Sequence, residues 1–244
     1  MNWFDIILII LLLVSMLEGW RRGLLKEIIK VVGMVLVLYL SFILMNPLGD
    51  IFFKYLPFFS LHIIGLEISA LNILLYQIIA FLLIAIILYI ILNFILTLTG
   101  LLSKITGLIN PLKIPFKILG AITGLVTGYI IIFLILLVFS IPLGKIDAYR
   151  QSQLKDIFLN NHILLTKEVK NMSSTINEVY ELTEDISDDK KRLEHSDKYN
   201  VRALDIMLKN HIVSIETVDQ LVKENKIHNY KELENVLKQY RKEN

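Results

Sequence analysis

The chain has 244 residues, of which 55% are hydrophobic, and its mean hydropathy of +0.62 excludes an ordinary soluble domain. The formal net charge is only +2, which argues against a nucleic-acid partner. The chain contains no cysteine, so disulfides, thiolate catalysis and cysteine-based metal sites are excluded.

The charged residues are distributed unevenly along the chain. Residues 1–144 contain eight Lys or Arg and five Asp or Glu, whereas residues 145–244 contain 17 and 18. The sequence therefore predicts an all-α integral membrane protein in two parts. Residues 1–144 form a four-helix transmembrane domain, and residues 145–244 form a soluble helical tail with a charged connector near 181–197.

Four apolar stretches are long enough to cross a bilayer, whose core of about 30 Å needs about 20 helical residues. They predict membrane helices over about residues 3–20, 24–45, 72–99 and 118–142. No basic segment precedes the first stretch and no cleavage site follows it, so we expect it to remain as a membrane helix. The second is predicted to end at Asn46-Pro47-Leu48-Gly49, because proline and glycine interrupt helices.

Lysine and arginine residues predict the orientation of these helices. The first connection holds Arg21, Arg22, Lys26 and Lys30, and the third holds Lys104, Lys113 and Lys117. The second connection holds only Lys54. Because positive residues stay on the cytoplasmic side, we expect the N-terminus and the tail to be extracytoplasmic. In the tail, apolar residues recur at helical spacing near 201–208, 215–222 and 233–240, which predicts three short helices.

Asp5 lies just inside the outer end of the first predicted helix, and two interpretations are open. It is either a buried carboxylate that pairs across helices or binds a proton or an ion, or an acid that the helix dipole favours among the lipid headgroups. At the other end, Glu18 can pair with Arg21 or Arg22 along the helix. The arginines can also fix the topology or contact anionic lipid.

The glycines of the fourth helix are the sharpest local pattern. Gly120, Gly124 and Gly128 recur every four residues on one face, which lets another helix approach closely. The first helix, the third helix and a second copy of the chain all remain possible partners. The five histidines show no metal-ligand spacing, and no catalytic motif is present, so we expect neither enzyme activity nor a cofactor.

The opening stretch resembles the colicin V production protein family of bacterial membrane proteins. The resemblance rests on Trp3, Asp5, the run Gly19-Trp20-Arg21-Arg22-Gly23-Leu24 and Glu27. In the fourth helix, Gly120, Gly124 and Gly128 fit the family pattern, and Phe116-Lys117 replaces the Asn-Arg pair that precedes the glycines. The resemblance covers about residues 1–145.

This resemblance implies a four-helix protein of the bacterial plasma (inner) membrane that is linked to the production or export of a bacteriocin toxin. Some relatives carry an extracytoplasmic protease domain after the fourth helix, and this tail shows no such pattern. The first hypothesis is a non-enzymatic accessory or scaffold, with the tail contacting envelope or secretion proteins. The alternative is a small oligomeric membrane channel or transporter that assembles through the glycine stripe. The lipid bilayer is a partner in both.

Overall fold

The structure is a computed structural model that describes residues 2–59, 62–63, 66–98, 113–143, 146–160, 167–191 and 193–243. Helices make up 83% of these residues, and four of them are long and apolar enough to cross a membrane, which confirms the predicted fold class at that level. The exception to the helical pattern is a short antiparallel pairing of β1 (His62–Ile63) with β2 (Leu66–Glu67).

Ten helices lie within the described residues. In chain order they are α1 (Trp3–Arg22), α2 (Leu24–Tyr55), α3 (Leu71–Leu98), α4 (Lys113–Leu143), α5 (Asp147–Arg150), α6 (Gln153–Asn160), α7 (Lys167–Asp188), α8 (Ser196–Lys209), α9 (Ile215–Lys223) and α10 (Leu233–Glu243). The candidate membrane spans are α1, α2, α3 and residues 115–140 of α4, with mean hydropathies between 2.0 and 3.1. Each covers one of the four apolar stretches in the sequence.

The second membrane helix does not end where the sequence predicts. α2 continues through Pro47 to Tyr55, so the expected break at Asn46-Pro47-Leu48-Gly49 is wrong. A proline inside a helix removes one backbone hydrogen bond and costs about 3 kcal/mol. Packing outweighs that cost, because Met45 and Phe53 on either side of the proline are 2% and 1% exposed.

The chain divides into two compact units that do not follow its linear order. Unit 1 comprises Met1–Ser41 and Ala85–Leu164, and unit 2 comprises Phe42–Ile84 and Leu165–Asn244. Unit 1 therefore contains α1, α4, α5, α6 and parts of α2 and α3. Its fully buried side chains include Ile130, Ile132 and Leu136 of α4.

In unit 2, α7 to α10 pack with the second half of α2 and the first half of α3. The buried Gln77 of α3 donates from Nε2 to the carbonyl of Ile212 at 3.0 Å. Asn200 of α8 bonds to the backbone of Ser69 and Glu67 at 3.1 and 3.0 Å. The C-terminal helices are thus attached to the chain that connects α2 and α3.

The charged stretch 181–197 is partly helical. α7 runs through its first eight residues and ends at Asp188, so only the segment from 189 to 195 connects α7 to α8. The reason is an apolar stripe that continues through the charges, since Leu182 and Ile186 are 1% and 0% exposed. Apolar residues at this helical spacing hold α7 against the core of unit 2.

Candidate functional site

The backbones of α1 and α4 touch at their glycines. A Cβ atom added to Gly19 would lie 2.1 Å from the carbonyl oxygen of Gly120 and 2.8 Å from Cα of Gly124. One added to Gly124 would lie 2.5 Å from the carbonyl oxygen of Ser15, and one added to Gly128 would lie 2.8 Å from Cβ of Ser15. The glycine stripe of α4 therefore packs against α1, in the manner of small-residue membrane interfaces.

Gly23 separates α1 from α2 by a turn that favours glycine. Its φ is +79°, a region that residues with a Cβ atom rarely adopt. Its amide donates to the carbonyl of Gly19 at 2.9 Å, which completes the last turn of α1. The turn brings the start of α2 back beside α4, so a Cβ atom added to Gly120 would lie 2.9 Å from Cα of Gly23.

Glu27 is buried where α2 returns beside α4. Its side chain is 1% exposed, and Oε1 accepts a hydrogen bond from the Thr127 hydroxyl at 2.6 Å. Arg22 Nη1 lies 3.5 Å from Oε2, and Lys30 Nζ lies 3.8 Å from Oε1. Arg22 also forms an ion pair with Glu18. The buried carboxylate is thus compensated by two cations and a hydroxyl, as a charge in a membrane requires.

Asp5 is buried at the opposite end of α1. It is 2% exposed, and its Oδ1 accepts from the Ser152 hydroxyl at 2.5 Å and from the Leu154 amide at 3.4 Å. Its Oδ2 accepts from the Asn2 backbone amide at 3.0 Å, and the Asp5 backbone amide donates to Asn2 Oδ1 at 3.0 Å. The acid therefore caps the helix and also attaches α1 to the chain that follows α4.

A second polar contact reinforces this attachment. The Asn2 side chain donates to the carbonyl of Ala148 at 2.6 Å. The ring of Tyr149 packs edge-on against Phe4 at 5.4 Å, and its hydroxyl donates to Ser140 Oγ at 3.0 Å. Two ends of the α1–α4 pair thus carry buried carboxylates, Asp5 at one and Glu27 at the other.

The remaining sequence candidates lie apart from these two clusters. Arg21 and Lys117 are exposed, while Gly19, Gly23 and the three glycines of α4 form the contact surface. Thr127 lies beside the glycine stripe and could be expected to hydrogen-bond to another helix, but the sequence does not indicate Glu27 as its partner. Sequence reasoning missed Ser152, the hydroxyl partner of Asp5. The one signal in the sequence is the acid itself, because a carboxylate in an apolar span needs a polar partner. Within the described ranges, no group of three His, Asp or Glu side chains is placed to hold a metal ion.

Unit 2 contains a separate open cavity of about 770 Å³. Its lining includes the carboxylates of Asp50, Asp205 and Glu216, none of which forms an ion pair within 4.0 Å in the described part of the chain. Asn46 also lines it, and its buried Oδ1 has no hydrogen-bond partner among the described residues. Lys209 also lines the cavity, but it is paired with Glu178 at 3.0 Å. The cavity can therefore accept hydrogen bonds and positive charge.

The match to known proteins covers nearly all of unit 1 but only residues 42–84 of unit 2. A family model described as colicin V production protein matches residues 4–163. This range extends past the resemblance expected from the sequence, since it includes α5 and α6. No curated protein and no solved structure matches the chain.

Proposed function

Since the chain belongs to the colicin V production protein family, we propose that it acts as a non-enzymatic accessory or scaffold in toxin production or secretion. Membership supports a role in toxin production at the level of the family. The match covers the four membrane helices and the segment that Asp5 holds, which supports assigning the shared role to that part. Residues 167–243 lie beyond the match.

The interaction module in this proposal is unit 2. Its cavity offers three carboxylates without an ion pair among the described residues, which suits a partner segment carrying lysine, arginine or a free amine. The tight α1–α4 contact supports a rigid anchor for that module. Both features suit a protein that positions others rather than one that transforms a substrate.

Release of toxin into the medium tests the role directly. Deleting the chain should lower the released toxin, and the wild-type copy should restore it. A photo-crosslinking residue at Glu216 should then capture a secretion or envelope protein whose own removal also lowers release. The matched control is Ile90, which is 62% exposed on α3 and should capture no such protein. Unchanged toxin release would refute the proposal.

The same proposal places the protein in the bacterial plasma membrane with its N-terminus and soluble C-terminal segment outside. The distribution of Lys and Arg supports that orientation. Because the chain has no native cysteine, a single cysteine at the exposed Lys190 tests it. An impermeant maleimide should label this variant on intact cells, whereas labelling only after lysis would reverse the orientation.

An oligomeric channel is the second candidate function. It is favoured by Asn93, an exposed amide in the apolar helix α3 that donates to the carbonyl of Tyr89 in its own helix at 2.7 Å. Such amides can hydrogen-bond to another copy within a membrane. Purified protein in liposomes should show no ion or solute flux if it is a scaffold. Flux that Asn93→Leu abolishes would establish the channel instead.

A further inference from the structure

The segment that follows α4 turns back along it. The Tyr149 hydroxyl donates to Ser140 near the end of α4. Nine residues later, the ring of Phe158 packs at 5.1 Å from the ring of Tyr129, whose hydroxyl donates to the Phe158 carbonyl at 3.4 Å. The distance from Ser140 to Tyr129 along α4 is about 16 Å at about 1.5 Å per residue. α5 and α6 therefore run antiparallel to α4 and beside it.

The register of α1 against α4 gives the depth that α6 reaches. Gly128 of α4 lies against Leu12 and Ser15 of α1, so Tyr129 is level with the middle of α1. α1 has 20 residues and a length of about 30 Å, which equals the thickness of a bilayer core. Because Ser152 bonds to Asp5 at the start of α1, α6 occupies the half of that thickness that holds the start of α1.

The two sides of α6 differ in character. Phe158 and Leu159 are 4% and 6% exposed against the rest of unit 1. Gln153, Asp156 and Ile157 are exposed on the other side, where the Asp156 side chain is 58% exposed and Ile157 is 50% exposed. Lys155 Nζ lies 3.0 Å from the Asp156 carboxylate and 5.0 Å from the centre of the Tyr149 ring.

Lipid is a poor neighbour for this exposed side. An aspartate side chain is short and cannot reach the headgroups from that depth, whereas long basic side chains can. Short helices inside a membrane persist where protein buries them or where they line a water-filled cavity. Within unit 1, the described residues bury the Phe158 side of α6 and leave the Asp156 side uncovered.

We propose that α6 is a re-entrant helix whose Gln153–Asp156 edge lines a water-filled recess in the half of the membrane that holds the start of α1. The Asp156 carboxylate is 58% exposed, whereas the side chain of its ion-pair partner Lys155 is only 15% exposed. The carboxylate therefore faces the recess more than the cation does and makes it more attractive to small hydrated cations than to anions. The family match extends to residue 163, so the recess belongs to the shared part of the chain. It does not depend on the proposed role in toxin production.

Cysteine accessibility tests the recess, because the chain has no native thiol. Gln153→Cys and Asp156→Cys are compared with Ile10→Cys, a control at the same depth on α1 that is 51% exposed. Full-length protein in liposomes is treated from either side with charged methanethiosulfonates, which react with the thiolate. The α6 cysteines should react more than about tenfold faster than Cys at position 10, because a thiol in lipid does not ionise.

Three results would overturn the proposal. Equal and fast labelling at position 10 would place the start of α1 outside the bilayer. Equally slow labelling at all three positions would place lipid or protein over α6. Labelling of α6 that appears only after dissolution into detergent monomers would show that a second copy covers it.

Charge selectivity gives a second measurement that does not depend on a cysteine at Asp156. At Gln153→Cys, the cationic reagent should react faster than the anionic one, and adding Asp156→Asn should lower that ratio. An unchanged ratio would show that the Asp156 carboxylate does not face the recess. Gel filtration of each variant checks that it is folded, and Lys190→Cys supplies the labelling rate of an exposed site.

Discussion

The contact between α1 and α4 predicts that Gly19→Ala severely destabilises unit 1. The new Cβ atom would lie 2.1 Å from the Gly120 carbonyl oxygen, whereas an ordinary contact begins at 3.4 Å. The two helices must therefore move apart by about 1.3 Å, which is the difference between these distances. Both neighbouring groups, at Gly120 and at Gly124, are backbone and cannot rotate away. We expect a loss of about 3 kcal/mol, at the upper end for overpacked sites.

Gly33→Ala is the matched control, since it adds the same methyl group within an apolar helix. Its Cβ atom would meet only the side chain of Leu92, at 2.6 Å from Cδ2, and that side chain can change its rotamer. The gain in helix propensity, about 1 kcal/mol, is common to both variants and cancels in the comparison. The measurement is the free energy of unfolding in mixed micelles. If Gly19→Ala loses no more than Gly33→Ala, the close approach of the two backbones is refuted.

Three further predictions concern polar groups. Thr127→Val removes the hydroxyl that bonds to the buried Glu27. It should lower the unfolding free energy by about 1.5–3 kcal/mol in the same assay, and a loss below about 0.5 kcal/mol would contradict that bond. Ser152→Ala should likewise destabilise through Asp5 and should speed proteolysis after α4, whereas unchanged cleavage would argue against the attachment. Hydrogen bonds from His195 and two further donors lower the pKa of Asp189 to about 2. The stability that this carboxylate contributes should therefore be present above about pH 4 and lost as the pH falls towards 2. Asp189→Asn should remove this pH dependence of the unfolding free energy.

The apolar interiors of the four membrane helices could be predicted from the sequence, but not all of their ends could. α4 begins at Lys113 and not near 118, and α2 extends past its predicted end. The hydropathy of a span depends only on its own residues, so the sequence of that span is enough to predict it. The end of α2 depends on what surrounds it. Pro47 and Gly49 ordinarily end a helix, and here Gly49 lies against the side chain of Gln77 in α3. Neither segment alone indicates this contact, because the two residues are far apart in the sequence.

The candidate site could also be predicted only in part. Asp5 and Glu27 stand out because acids are rare in apolar spans, and the glycine spacing of α4 indicates a close helix contact. The partners of these residues do not stand out. Ser152 is an ordinary residue in a polar segment, and Thr127 resembles any threonine of a membrane helix. Their roles come from the antiparallel register of α1 and α4, which only the three-dimensional structure supplies.

The order of synthesis affects the C-terminal end of α2. Lys226 donates from Nζ to the carbonyl of Phe53, and to that of Lys54 at 2.6 Å, across 172 residues of sequence. A ribosome adds about 5–20 residues per second, so this helix end waits about 10–30 s for its donor. During that interval its last carbonyls depend on water or on another protein. A chaperone that protects the newly made chain would therefore act on α2 before the C-terminal residues exist, and a truncated product would keep that helix end exposed.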